Sequence, residues 1–265
     1  MPMLMKTNAV QRERGLLYKV GLPIIGPIAF IALWWLLIAA FHIRPFFLPA
    51  PPNIVTAFVH NTSMLMSASW VTLRETLLGF LIATAGGLLV ALALTTSEAT
   101  RRAAMPVLVV INAVPKVAVA PLLVIWMGFY QTPKVVMATL ICFFPIILSS
   151  MAGLSSTPAD LGELARALSA GRWKTFAKVR FPGALPQVFV GLKIAAPLAV
   201  IGTVVAEIAN STAGLGYIMT SEAPQGETSL EFAAVALLTV ETLALYYALV
   251  GLERLLLPWA RESTA

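Results

Sequence analysis

Residues 76–97 read TLLGFLIATAGGLLVALALTTS, 22 consecutive positions without Asp, Glu, Lys or Arg. As an α-helix rising about 1.5 Å per residue, such a stretch is roughly 33 Å long, enough to cross a hydrocarbon core of about 30 Å. Gly79, Ala83, Gly87 and Ala91 recur at every fourth position within it. That small-residue stripe lets a second helix come close.

Similar charge-free gaps recur to either side. Residues 20–43, 117–133 and 135–159 carry no charge, while 183–206 and 232–252 carry one each, Lys193 and Glu241. The stretch 103–126 is interrupted by Lys116 and by Pro106, Pro115 and Pro121. These gaps predict an all-α polytopic membrane protein with about six transmembrane helices, near 20–41, 70–96, 103–126, 133–153, 187–209 and 232–256. Pro145 and Pro197 mark expected kinks. The 24-residue run 20–43 is longer than the apolar core of a signal peptide, about 7–15 residues, so it is expected to stay as a span.

Composition agrees with a bilayer as solvent. Of the 265 residues, 59% are hydrophobic and 11% charged, against roughly 25% charged in soluble domains, and the mean hydropathy is +0.87. Soluble enzymes, nucleic-acid modules and disulfide scaffolds are excluded as leading readings, and Cys142 is the only cysteine. The net charge of +6 has a topological explanation. With the N-terminus inside, Lys6, Arg12, Arg14, Lys19, Arg101, Arg102, Arg166, Arg172, Lys174, Lys178, Arg180, Arg254 and Arg261 face the cytoplasm, thirteen of the eighteen Lys and Arg. This positive-inside bias places both termini in the cytoplasm. The chain divides into a tail 1–18, a transmembrane domain 19–260 and a tail 261–265.

The outer segment 42–69 is proline-rich and reads as an irregular connection leading to a short surface helix. The outer segment 210–231 holds Glu222, Glu227 and Glu231 and no Lys or Arg, a face suited to a soluble partner or a plain result of the orientation rule. The inner loop 154–186 is the longest on its side. Thr157 fits an N-cap, Pro158 the first helical position and Asp160 a capping box, so a short helix is expected over 160–170, ending near Gly171. Leu161, Leu164, Ala165 and Leu168 form one apolar stripe on it, with Glu163 and Arg166 off the stripe. From these residues alone, the helix either rests on lipid headgroups or plugs into a cytoplasmic partner.

The order of residues separates those two readings. Glu163-Leu164-Ala165-Arg166-Ala167-Leu168-Ser169-Ala170, with Val179-Arg180-Phe181-Pro182 after it, resembles the EAA loop of membrane subunits of binding-protein-dependent ABC importers. Leu164 replaces the middle Ala, Ser169 stands where Gly is usual, and Phe181 replaces Leu before Pro182. Phe47-Leu48-Pro49-Ala50-Pro51, and Gly214-Leu215-Gly216-Tyr217 after Glu207, resemble the nitrate, sulfonate and taurine branch. The resemblance implies a type I ABC importer permease in the bacterial inner membrane, paired with a second permease subunit in a homodimer. It further implies two cytoplasmic ATPase subunits and an extracytoplasmic solute-binding protein. Asp160, Glu163, Ala165, Arg166, Ser169, Ala170, Gly171, Arg172 and Pro182 would then form the ATPase-coupling segment.

The chain is not expected to be an enzyme. It has no GxxxxGK[ST] phosphate loop, and Gly171-Arg172-Trp173-Lys174-Thr175 lacks the glycine before lysine. His42 and His60 are the only histidines, so no metal site, catalytic group or cofactor is expected. Charges within spans are costly and usually face protein or water. Lys116, with Asn112 before the break at Pro115, either lines a translocation path for an anionic solute or pairs with a broken-helix carbonyl. Glu207 and Asn210, at the outer end of the fifth span, either line the outer gate or satisfy neighbouring backbone. Lys193 is expected to snorkel to the inner surface, and Glu241 to pair within the bundle. The main rival function is an ion-gradient-driven secondary carrier, although no internal repeat is evident.

Overall fold

A computed structural model describes residues 22–156, 171–222 and 226–261, and every regular element among them is helical. In chain order these are α1 (Leu22–Phe41), α2 (Pro51–His60), α3 (Thr62–Thr95), α4 (Glu98–Ala113), α5 (Lys116–Met127) and α6 (Gln131–Ser155). Next come α7 (Arg172–Thr175), a π-helical turn (Phe176–Arg180), α8 (Phe181–Asn210), α9 (Leu215–Glu222), α10 (Thr228–Leu256) and a 3₁₀ turn (Pro258–Arg261). Among the described residues, four helical rods are long and apolar enough to cross a membrane: α3, α6, the continuous stretch Trp173–Ala209 containing α8, and α10. The bent pair α4–α5 makes a fifth. α1 occupies the stretch expected for the first span.

Two starts differ from expectation for local reasons. α3 begins at Thr62 instead of near residue 70, because the sequence TSMLMSAS contains no proline or glycine to stop it. Its 34 residues make a rod of about 51 Å, longer than the hydrocarbon thickness. α8 begins at Phe181, six residues before the expected 187, with Pro182 in its first turn, where a missing amide costs no hydrogen bond.

The prolines divide by their surroundings. Pro145 and Pro197, expected to kink their spans, lie inside the continuous helices α6 and α8. Buried Ile146, Ile147 and Ala196 beside them are packed by neighbouring helices. At Pro115 the chain does break: Val114 and Pro115 are both extended (ψ 127° and 96°), and α4 and α5 diverge by 83°. Proline pushes its predecessor out of the helical region, and here exposed Ile111 and Val114 offer no packing to resist it.

α3, α6 and α8 form the core. The predicted stripe on α3 is buried along its length and meets α6. A methyl group at Gly79 would stand 2.5 Å from Ala138 Cβ and 2.8 Å from Val135 O, and one at Gly87 2.9 Å from Ile146 Cγ2. On the other side of α6, a methyl at Gly202 of α8 would stand 2.7 Å from Ala138 Cα. Ala83, Cys142, Ile146, Val188, Phe189 and Leu192 fill the space among the three helices. α8 is the most buried of the spanning rods. α1 stands apart, touching α10 through Trp34 and Phe232, with ring centroids 5.9 Å apart. A largely apolar gap of about 900 Å³ separates it from α2 and α10.

Candidate functional site

The polar residues expected to carry function fall in the loop 154–186, at the break between α4 and α5, and in the last turn of α8, where α3 and α6 supply further polar groups. In the inner loop, Asp160, Glu163, Ala165, Arg166, Ser169 and Ala170 lie outside the described residues. Gly171, next in the chain, is exposed with open space beside it, and its carbonyl accepts from Thr175 N–H at 3.0 Å. Arg172 opens α7, and Pro182 lies in the first turn of α8. Trp173, 77% exposed, stacks on Phe176 with centroids 5.8 Å apart. The two rings border a cavity of about 440 Å³ reaching Leu92 and Thr96 at the C-terminal end of α3, Leu154 at that of α6, and Arg180 of the π-helical turn.

At the break, Lys116 and Asn112 come together. Lys116 Nζ donates to Asn112 Oδ1 (2.7 Å) and to Asn112 O (3.2 Å), a carbonyl near the end of α4. Both side chains are half-buried. Among the described residues Lys116 takes part in no ion pair; those present join Arg101 and Arg102 to Glu98, Lys134 to Glu75, and Lys193 to Glu253. Lys193, expected to snorkel, pairs with Glu253 of α10 (2.7 Å, both side chains about four-fifths buried). Glu241 is partnered as expected, accepting from Ser69 Oγ.

The outer site is a connected network. Glu207 is fully buried and faces protein. Its Oε1 accepts from Thr72 Oγ1 of α3 (2.8 Å) and its Oε2 from Gly216 N–H (2.7 Å). Thr72 Oγ1 also accepts from Leu215 N–H at 2.9 Å, so one hydroxyl and one carboxylate hold the start of α9. Glycines make the approach possible. Gly214 has φ +113°, a conformation disfavoured for residues with a Cβ, and a methyl there would collide with the Glu207 carboxylate. A methyl at Gly216 would stand 2.8 Å from Glu207 Cβ.

Beside this lies a buried ion pair. Lys134 of α6 donates to Glu75 Oε1 of α3 (3.0 Å) and to Ala213 O (3.2 Å), a carbonyl that also accepts from Ser211 Oγ (2.7 Å). Lys134 and Glu75 are 5% and 4% exposed, so their charges interact in a medium far less screening than water. One layer deeper, Thr76 Oγ1 of α3 donates to Thr203 Oγ1 of α8 at 3.0 Å. Of the four residues expected along the path, Asn112 and Lys116 therefore share one place; Glu207 and Asn210 lie in the last turn of α8, where Asn210 closes the helix and neighbouring Ala206 packs with Ala120 and Leu123 of α5. Glu75 and Thr72 are site residues that the sequence does not single out. The available signal is an acidic residue one position before the charge-free stretch 76–97.

Residues 77–262 match the family described as binding-protein-dependent transport system inner membrane component. The chain belongs to this family. It is an integral membrane permease subunit of an ABC importer, and ATP hydrolysis belongs to a separate subunit. A probable ABC transporter permease protein of Haemophilus influenzae is 35% identical, over 81% of this chain and 88% of that protein. The formylaminopyrimidine transport permease ThiX of Halalkalibacterium halodurans is 32% identical over 83% of this chain and 88% of its own length. The taurine transport permease TauC of Escherichia coli is 30% identical over 90% of both chains. The permease also shares the fold of a chain of the inward-facing MetNI methionine ABC transporter, with a TM-score of 0.65 and 19% identity over 74% of this chain and 97% of that one.

Proposed function

We propose that the permease forms one half of a homodimeric translocation path in a bacterial inner membrane, with both termini cytoplasmic, importing a small and preferably anionic solute. The membership of residues 77–262 in the family carries the reading. A second copy is favoured by the unpartnered apolar faces of α4 and α5, where Val110, Ile111, Val117, Ile125 and Trp126 are all exposed. Two ATPase subunits dock on the two inner loops of the dimer, each through Asp160, Glu163, Ala165, Arg166, Ser169, Ala170, Gly171 and Arg172, with Pro182 fixing the return of the chain into α8. Exposed Trp173 beside that segment extends the same docking face. A solute-binding protein docks on the outer side, where 210–231 carries three acidic residues and no basic one.

Along the path, Asn112 and Lys116 meet the solute. A lysine with amide and carbonyl partners but no carboxylate partner among the described residues keeps its charge available to an anion. Asn210 marks the outer end, where Glu207 is spent on Thr72 and the Gly216 amide. The relatives' names cover taurine and formylaminopyrimidine, so selectivity is assigned to the binding protein instead of to this chain.

Reconstitution tests the whole reading. Permease, its ATPase and its binding protein in proteoliposomes are expected to accumulate the solute held by that binding protein only when ATP is supplied on the ATPase side. Uptake driven by an ion gradient without any ATPase would replace this reading with a secondary carrier.

A further inference from the structure

The outer network adds polar joints between the core helices and a segment that is otherwise held by chain continuity with α8 and by its buried apolar residues. The segment 211–222, an extended turn leading into α9, lies over the outer end of the bundle as a cap. Its first residues are irregular, and Gly214 and Gly226, with φ +113° and +81°, bracket α9 with turns that only glycine adopts readily. Such a segment would be loosely attached if it rested on its own backbone. Instead, three core helices hold it. Glu207 of α8 takes the amide of Gly216, Thr72 of α3 takes the amide of Leu215, and Lys134 of α6 takes the carbonyl of Ala213. Glu75 of α3 fixes Lys134 in turn.

We propose that Glu207, with Thr72 and Lys134, is a positioning group that fastens the outer cap 211–222 to the α3–α6–α8 core, so that a protein docking on the outer face moves the core as one body. The proposal rests on the importer reading above and gives it an outer counterpart to the coupling loop. The chemistry suits the task. A buried carboxylate that accepts two hydrogen bonds in a medium of low dielectric gives a stiff, directional joint. Because the three bonds run to three different helices, a movement of the cap relative to the core must stretch at least one of them. Glu207 thus acts on transport through the cap, and a path lined by other side chains can open and close while it stays buried. The apolar floor of the cap is consistent with this, since Leu215 and Ile218 are buried against Leu65, Val200 and Leu230.

The test uses the complete assembly of permease, ATPase and solute-binding protein in nanodiscs. Two quantities are read: deuterium exchange of amides 213–218, and the factor by which added solute-binding protein raises ATP hydrolysis. Thr72→Val keeps the shape of the side chain but removes its hydroxyl, whereas Thr72→Ser keeps the hydroxyl. Thr72→Val is expected to speed exchange of the cap amides about tenfold or more, as fits loss of hydrogen bonds to a buried charged group. It should leave α6 amides 138–150 unchanged and reduce stimulation by the binding protein several-fold. Thr72→Ser should match the unsubstituted protein in both readouts, and Glu207→Gln should fall between them, since an amide oxygen can replace only one acceptor.

Wild-type exchange and wild-type stimulation in Thr72→Val would overturn the proposal. So would a loosened cap with full stimulation, which would make the joint merely structural. If the unsubstituted assembly is not stimulated at all while its cap amides stay protected, the importer reading fails first, and transmission through the cap falls with it.

Discussion

Lys134→Met is the most informative single change for the energetics of the bundle. The lysine holds Glu75 Oε1 at 3.0 Å, and Glu75 Oε2 has no partner among the described residues. Removing the ammonium therefore leaves a carboxylate, 4% exposed, with neither oxygen bonded. Breaking a buried pair from one side typically costs about 3–5 kcal/mol, since the remaining charge stays desolvated. For a protein of this size each kcal/mol lowers Tm by roughly 2–4 °C, so the expected drop is about 6–20 °C. Replacing both partners should behave differently: Glu75→Gln with Lys134→Met removes both charges and should recover at least half of that loss. The assay is thermal unfolding of the purified permease in one fixed detergent or nanodisc, comparing the wild type, both single variants and the double variant. A Tm within about 2 °C of wild type for Lys134→Met would refute the reasoning. A double variant no more stable than the worse single variant would refute it equally, since the loss would then not arise from an uncompensated charge.

Four further outcomes are expected. Gly79→Ala should destabilise by about 1–3 kcal/mol, because its methyl meets Ala138 Cβ at 2.5 Å and backbone Val135 O at 2.8 Å. Gly86→Ala, which meets only the edge of the Phe143 ring at 3.1 Å, should cost less than about 1 kcal/mol in the same thermal measurement. Lys116→Ala should reduce ATP-dependent uptake of an anionic solute at least tenfold, with Lys116→Arg retaining most of it; equal uptake by Lys116→Ala would remove Lys116 from the path. Glu163→Lys should abolish co-purification of the ATPase while leaving the permease folded, and an intact complex would show that this glutamate does not carry the docking.

How much of the molecule is legible in its sequence depends on the range of the interaction. Helices and their order follow from charge gaps, because a charge in hydrocarbon is expensive wherever the chain folds. The stripe Gly79-Ala83-Gly87-Ala91 announces a close helix contact, and Pro115 the break, since both are written within a few neighbouring residues. Other outcomes depend on surroundings. Pro145 and Pro197 lie inside helices that run on through them, α6 and α8, whereas the chain breaks at Pro115, and the packing that differs between these sites is not local. Lys193 finds Glu253, 60 positions away, and Lys134 finds Glu75 across 59, separations for which spacing gives no rule. Glu207 stands out in the sequence for its place near a span's outer end. Its partners, Thr72 and the Gly216 amide, come from a tertiary arrangement that the run Gly214-Leu215-Gly216 hints at only through its two glycines.

The separation between Glu75 and Lys134 also has a consequence during synthesis. The acidic residue leaves the ribosome 59 positions ahead of the ammonium that holds it in the finished bundle. At about 5–20 residues per second, that interval is roughly 3–12 s. Over those seconds the third helix holds an unmatched acid near the lipid boundary, and its final depth must await the sixth. The order of synthesis therefore puts the acid of this pair in place before its ammonium, and both before the turn at Ala213 that the ammonium also holds.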